Sequence, residues 1–208
     1  MSEVKIKICG LTRPGDIKSA IDAGADILGF VFTESPRRIS IETAKHLLEH
    51  VPSSILRVGL FLDQDRNEVS RVISAVKLDV LQFHGRETEL ECNSHGLPWI
   101  KAVAMENAGS ARQAETDYPS AMGLLLDSHS RGGRGGSGKV FDWSLARPLQ
   151  KPVWLAGGLN ASNVGVAIRT VRPYAVDVSR GVERAPGIKD AVRIKDFVRA
   201  FKQVNDEE

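Results

Sequence analysis

Two side chains of this sequence stand where an acid–base pair would be useful. Cys9 closes the apolar run Val4–Cys9 and precedes Gly10, and Asp127 follows Leu124-Leu125-Leu126. A cysteine in such a setting is either a small hydrophobe or, where a positive field lowers its pKa, a thiolate base. A carboxyl group at the edge of an apolar run either caps the next segment in water or has its pKa raised by its surroundings. In the second case it donates a proton near neutral pH. Arg37 and Arg38 follow Pro36. An exposed Arg pair is ordinarily just solvated, but a guanidinium can also clamp a carboxylate bidentately, which lysine does less well. Three Gly-rich segments come later: Gly132-Gly133-Arg134-Gly135-Gly136-Ser137-Gly138, Ala156-Gly157-Gly158-Leu159 and Ser179-Arg180-Gly181-Val182. Glycine lets backbone N–H groups approach an anion and adopt positive φ, so Gly157, Gly158, Ser179, Arg180 and Gly181 are candidate phosphate ligands. A lone glycine pair more often marks a turn. Asp63, His84 and Asp177 also sit at the ends of apolar runs. Cys92 falls in an expected helix and is read as structural.

Short strands must position these residues. The expected strands are Val4–Cys9, Ile27–Phe32, Leu56–Leu62, Val80–Phe83, Trp99–Val103, Met122–Leu126, Val153–Ala156 and Ala175–Val178. Between them, Ala44, Leu47, Leu48 and Val51 fall at i, i+3, i+4, i+7 and predict one apolar helix face. The same spacing recurs at Val69, Val72, Ile73 and Val76, and at Val164, Ala167, Ile168 and Val171. A last helix is expected with Ala191, Ile194, Phe197, Val198 and Phe201 inward. Strands alternating with helices point to a parallel sheet, whose strands, buried on both faces, read as continuous apolar runs. An open doubly wound sheet is the alternative. Eight such units in 208 residues leave room only for short connections, which favours closure into one (β/α)8, or TIM, barrel domain over residues 1–208. The sixth helix is expected to be short or degenerate, because a Gly-rich loop and then only Phe141–Arg147 follow Asp127.

Closure turns scattered residues into a site. Residues past the C-terminal strand ends of a barrel converge on one mouth. Strands one and six lie well apart around the ring, so a substrate held between Cys9 and Asp127 could be protonated on one side and deprotonated on the other. Phosphate sites in this fold are commonly built from the loops after strands seven and eight, and the last two Gly-rich segments occupy those places.

Charge narrows the partners. Basic residues number 28 and acidic residues 26, a balance that offers no nucleic-acid footprint but suits a small anionic substrate. No apolar run approaches the roughly 20 residues that span a bilayer. The opening MSEVKIKICG reads as a strand, not as a signal-peptide core, so neither membrane nor export is expected. Both cysteines are read as thiols of a cytoplasmic protein. Monomer and homodimer stay open.

Several motifs occur in one order: Lys7-Ile8-Cys9-Gly10-Leu11-Thr12, Gly29-Phe30-Val31-Phe32 with Ser35-Pro36-Arg37, Gln82-Phe83-His84-Gly85 and Leu126-Asp127. They continue with Gly135-Gly136-Ser137-Gly138 and Phe141-Asp142-Trp143, Gly157-Gly158-Leu159 with Asn163-Val164, and Asp177-Val178-Ser179 with Gly181-Val182-Glu183 and Pro186-Gly187. From Lys5 to about Asp190 the chain thereby resembles the phosphoribosylanthranilate isomerase family of tryptophan biosynthesis, an aldose–ketose isomerase group with a barrel of the ribulose-phosphate-binding type. The resemblance implies an Amadori rearrangement of N-(5-phosphoribosyl)anthranilate to 1-(2-carboxyphenylamino)-1-deoxyribulose 5-phosphate. It implies Asp127 as general acid on the ring oxygen, Cys9 as general base at C2 and Arg37 on the anthranilate carboxylate. Backbone N–H groups around Gly158, Ser179 and Arg180 would bind phosphate, with Asp177 close to the sugar hydroxyls. No metal and no cofactor are implied. Two positions depart from the family pattern: Arg180 stands where a second small hydroxyl residue is usual, and Arg38 where an aromatic or apolar residue is common.

Three rival readings share parts of this pattern. A histidine-pathway isomerase would resemble a two-carboxylate arrangement with an acid where Cys9 stands. An indole-forming synthase would want a catalytic lysine, for which Lys101 is the central candidate. A barrel that binds a phosphorylated metabolite without turnover is the third.

Overall fold

All eight apolar runs form strands, and each strand pairs in parallel with the next: β1 (Lys5–Cys9), β2 (Ile27–Val31), β3 (Leu56–Phe61), β4 (Val80–Phe83), β5 (Trp99–Ala104), β6 (Gly123–Asp127), β7 (Val153–Leu155) and β8 (Ala175–Val178). β8 returns to β1 with Lys7 opposite Asp177, which closes the barrel and rules out the open sheet. The structure is a computed structural model and describes residues 4–107, 109–128, 140–146 and 149–205. Strand ends differ from expectation by one residue in several places. Val4, Phe32, Leu62, Met122 and Ala156 fall outside their strands, while Ala104 and Asp127 fall inside. The N–H of Phe32 still donates to Leu60 O at 3.0 Å and that of Ala156 to Leu126 O at 2.8 Å. The difference lies in where a ladder is counted as ending.

The crossovers are α1 (Pro14–Ala23), α2 (Ile41–Leu48), α3 (Arg66–Ala75), α4 (Glu89–Asn93), α5 (Ser110–Asp117), α6 (Val164–Val171) and a final α7 (Ala191–Asn205). Local chemistry starts them. Pro14 begins α1, Ser40 Oγ accepts from Thr43 N, and Asp65 with Glu68 and Thr88 with Glu91 form reciprocal capping boxes. Val164, Ala167, Ile168 and Val171 are all buried, as their spacing requires, and so are Ile194, Phe197, Val198 and Phe201. Ala191, expected inward, is exposed, so the inward face of α7 begins at Ile194. Between β6 and β7 the helical structure among the described residues is one 3₁₀ turn, Trp143–Ala146. The segment Gly132–Gly138 and Arg147 lie outside the described residues. No helix among them is long and apolar enough to cross a membrane.

Strand alternation splits the apolar residues into two clusters. Ile6, Ile8, Leu28, Phe30, Leu81, Phe83, Leu124 and Leu126 pack with the helices. Ile27, Val58, Val80, Ile100, Leu125, Trp154 and Ala175 fill the barrel axis. The expectation of continuous apolar runs fails at three axial positions: Lys7, Gln82 and Asp177 are 0%, 1% and 9% exposed. The apolar plug lies below them, and Trp154, packed against the bare backbone of Gly123, is its largest member. Trp154→Ala should therefore cost about 3–5 kcal/mol, read as a lowered urea midpoint with an unchanged slope. A loss under about 1 kcal/mol would mean that the axis is not close-packed.

Candidate active site

Cys9 and Asp127 are the last residues of β1 and β6, and both side chains turn toward the axis because their neighbours Ile8 and Leu126 turn outward. They line a cavity of about 440 Å³ at the C-terminal end of the barrel. Arg37, Gly157, Gly158, Asp177, Ser179, Arg180 and Gly181 line it too, so the nine candidate residues meet at one mouth. Asp63 does not line it. It bends at φ 50° and accepts from Arg86 N at 2.5 Å, which makes it a loop-holding residue.

Cys9 is 5% exposed and lies across from Gly29 on β2. A methyl group at Gly29 would stand 2.7 Å from the sulfur, so this glycine makes room for the thiol. Burial pushes the Cys9 thiol above its ordinary value, although Lys7 and Lys189 pull the other way. Cys92 is inert by comparison: burial beside Glu87 pushes its thiol up to about 12.

Lys7 belongs to a polar chain that crosses the axis. Its Nζ donates to Asp177 Oδ2 at 2.9 Å and to Gln82 Oε1 at 2.8 Å. An ammonium only donates, so the Gln82 oxygen must face it and the Gln82 amide nitrogen must face His84 Nδ1, 3.3 Å away. That nitrogen then accepts, and the neutral ring carries its proton on Nε2, which lies 3.8 Å from Asp127 Oδ2. Asp127 Oδ1 accepts from Ser128 N at 2.6 Å. Burial works against the Lys7 ammonium, but Asp177 and Cys9 outweigh it and hold it charged. Burial raises the Asp177 carboxyl while Lys7 draws it back.

A second network holds Arg37. Its Nε and Nη2 donate to the two carboxylate oxygens of Glu183 at 2.8 and 2.7 Å, and both side chains are largely buried. Two of the five guanidinium N–H groups are engaged this way, and three remain for a ligand. Lys189, in the two-stranded hairpin of β9 (Glu183–Ala185) and β10 (Ile188–Lys189), donates to Glu183 Oε1 at 2.8 Å. The same ammonium donates to Cys9 O at 2.6 Å and to Ser179 O and Oγ at 3.2 Å. The guanidinium, the end of β1 and the turn after β8 are thereby tied to one cation.

The glycines form the opposite wall. Gly157 and Gly158 have φ of 85° and 65°, a conformation that side chains resist. A Cβ on Gly157 would stand 2.9 Å from Asp127 Oδ1. Asn160 and Asn163 side-chain amides donate to Gly158 O at 3.3 and 3.0 Å. Gly181, in the 3₁₀ turn Arg180–Val182, lies so close to Leu159 O that no Cβ would fit. Arg180 also borders the cavity, as does Glu34.

Sequence reasoning missed Lys7, Gln82, Glu183 and Lys189 as members of the site. A signal existed for the first two. They lie two residues before Cys9 and His84, hence on the same strand face, and a lysine inside a closed barrel must have a partner. Lys101 is not the central lysine. It faces outward, 3.3 Å from Glu87 and 2.7 Å from Gly85 O, with its ammonium over the Tyr118 ring. That removes the indole-synthase reading, which needed it at the mouth. Groups of three or more His, Cys, Asp or Glu able to hold a metal are absent among the described residues.

Comparison with known proteins bears on what this mouth does. A family model for N-(5'-phosphoribosyl)anthranilate (PRA) isomerase matches residues 6–200. The N-(5'-phosphoribosyl)anthranilate isomerase of Pseudomonas putida (strain W619) is 49% identical over 205 residues, covering 98% of this chain and all of that one. Monomers generated from the dimeric enzyme of Thermotoga maritima superpose with a TM-score of 0.86 at 38% identity, over 97% of this chain and 100% of theirs. A phosphoribosyl anthranilate isomerase in complex with reduced 1-(o-carboxyphenylamino)-1-deoxyribulose 5-phosphate gives a TM-score of 0.85 at 37% identity, with the same coverage.

Glu183→Gln tests the second network. It leaves Arg37 and Lys189 facing a neutral amide and should cost about 3 kcal/mol at neutral pH. Burial alone would push the Glu183 carboxyl up, but Arg37 and Lys189 hold it below its ordinary 4.5. The stabilisation is then present above the unfolded-state value and lost as pH falls through the folded-state value. Urea midpoints of the two proteins should lie apart at neutral pH and converge below pH 4.5. A gap that persists into acid would contradict the pairing.

Proposed function

This chain belongs to the N-(5'-phosphoribosyl)anthranilate isomerase family, and on that premise we propose that Cys9 and Asp127 carry out its Amadori rearrangement as base and acid. The protein is an isomerase of tryptophan biosynthesis. The observation that supports the residue roles is that a thiol and a carboxyl group, from strands well separated around the ring, border one cavity with two glycine turns.

Asp127 protonates the furanose ring oxygen as the C1–O bond breaks, and the aniline nitrogen's lone pair forms the C1=N bond of a protonated Schiff base. The Cys9 thiolate then takes the C2 proton. The C–H electron pair moves between C2 and C1, and the C1=N pair returns to nitrogen, giving an enolamine. Moving the enol proton to C1 leaves the 2-ketone, with C1 reduced and C2 oxidised by two electrons. Nitrogen is the electron sink, so the reaction as written calls for no metal or cofactor. Arg37 takes the anthranilate carboxylate with its outer N–H groups, and its pairing with Glu183 presents them ready aimed. Gly157, Gly158, Ser179, Arg180 and Gly181 bind the phosphate, chiefly through backbone N–H groups. The departure at Arg180 adds a guanidinium beside that anion. Asp177, held by Lys7, borders the sugar.

We assign the whole of residues 1–208 to one barrel domain acting as a monomer or homodimer, in line with the dimeric Thermotoga maritima relative. A cytoplasmic location goes with two free thiols.

Loss of anthranilate-type fluorescence follows turnover directly. Cys9→Ala and Asp127→Asn are each expected to lower kcat by roughly 10²-fold or more, with KM changed much less. Near wild-type turnover in both would remove the mechanism. Arg37→Ala should instead raise KM by about tenfold or more while kcat changes less; an unaltered KM would argue against the carboxylate clamp. Binding of the phosphoribosyl amine by the wild type with no fluorescence change would favour a non-catalytic barrel.

A further inference from the structure

Cys9 presents a physical difficulty as a base. It is 5% exposed, and burial opposes the thiolate form that would take a proton. A buried thiolate needs a cation, and the cation must itself be held in place. Lys7 meets both requirements. It stands two residues before Cys9 on β1, so its side chain shares the axial face. It is fully buried, and its ammonium is fixed from two other strands, by Asp177 on β8 and by Gln82 on β4. The apolar plug below, from Ile27 to Trp154, packs the rest of the axis with hydrocarbon alone. A buried charge pair that could be replaced by hydrocarbon is weak as a stabiliser, which points to a use in the chemistry.

We propose that Lys7 is a positioning residue for the general base: its buried ammonium is the counter-cation of the Cys9 thiolate, and Asp177 and Gln82 hold it beneath the sulfur. The inference rests on the assignment of Cys9 as base. The other charged groups facing this thiol do not replace Lys7. Lys189 bonds the Cys9 carbonyl and the Ser179 oxygens and pairs with Glu183. Arg37, in the loop after β2, shares that one carboxylate, so the trio keeps a net positive charge; it favours the thiolate too, but Lys7 is the larger influence on the Cys9 thiol. Asp177 opposes the thiolate, and across the cavity stands Asp127, protonated in the productive state, with His84 beside it. Lys7 also ties the two ends of the mechanism together. Through Gln82 it dictates which His84 nitrogen bears the proton, and that nitrogen lies 3.8 Å from Asp127 Oδ2.

Turnover requires Cys9 ionised while Asp127 is protonated. With the thiol the weaker acid, the productive fraction is flat between the two apparent pKa values. Any rise in the thiol pKa lowers that plateau in proportion and carries the alkaline limb to higher pH. The test uses the full chain with Cys92→Ala, so that one thiol remains. Ultraviolet absorbance of the thiolate and the rate of alkylation by iodoacetamide are followed against pH, with Lys7→Met beside its parent. Removal of Lys7 strands Asp177, so Lys7→Met/Asp177→Asn, which leaves no unpaired charge, is titrated in parallel.

In Lys7→Met the thiol titration should move up by at least about one pH unit, with alkylation at neutral pH about tenfold slower; in the double variant, which also loses the carboxylate that opposes the thiolate, it should still move up, by less. In Lys7→Met the kcat/KM plateau should fall by about the same factor and its alkaline limb should move with the thiol. An unmoved thiol titration in the folded double variant would overturn the proposal, whatever turnover does. A titration that moves while kcat/KM stays at the parent's value throughout would leave the Lys7–Cys9 pairing intact. The assignment of Cys9 as base would fall, and the part given to Lys7 with it.

Discussion

A charge at the axis of a closed barrel has no water to turn to, so each one must find a counter-charge on another strand. The cost of burying a lone ion is several kcal/mol even after relaxation. Lys7 on β1 answers to Asp177 on β8, its ladder neighbour, and to Gln82 on β4. Below that level the same alternation delivers hydrocarbon, from Ile27 to Trp154. The axis therefore changes character along its length. It is a packed plug at the bottom and a balanced set of charges where the mouth begins.

The mouth inherits its order from that set. A chain of hydrogen bonds runs from Asp177 through Lys7 and Gln82 to His84, whose other ring nitrogen lies 3.8 Å from Asp127. A separate one runs from Arg37 through Glu183 to Lys189, and from there to the backbone of Cys9 and Ser179. The groups proposed as acid, base, carboxylate clamp and phosphate turn each touch one of the two. Rigid placement of this kind is what acid–base catalysis on a small bound molecule requires, because misplacement by about 1 Å can cost about 10²-fold in rate. The glycines serve the same end by absence of a side chain: Gly29 clears space for a thiol, and Gly181 admits a neighbouring carbonyl.

The barrel could be read in the sequence because its signals are local. Strand length, β-branched content and helix spacing each operate over about ten residues, and the short segment after Asp127 already announced a missing helix. The strand-end residues were legible for the same reason, since Cys9 and Asp127 each close an apolar run. Partnerships were not. Lys7 lies 170 residues from Asp177 and Arg37 lies 146 from Glu183, and spacing says nothing about which distant residues meet. Lys101 shows the opposite failure. A lysine in the middle of a strand reads as a possible site residue, yet its place in the β5 alternation turns it to the helices. One step of strand register decided between Lys7 and Lys101.

The central claim is a geometry: a thiol at one side of a bound sugar phosphate and a carboxyl group at the other. A crystal structure of this chain with reduced 1-(o-carboxyphenylamino)-1-deoxyribulose 5-phosphate measures it directly. The account expects phosphate on the turns at Gly158 and Ser179–Gly181, the anthranilate carboxylate at Arg37, C2 facing the sulfur of Cys9 and the C4 hydroxyl at Asp127. A ligand seated with C2 away from Cys9, or with Asp127 out of reach of that hydroxyl, would contradict it.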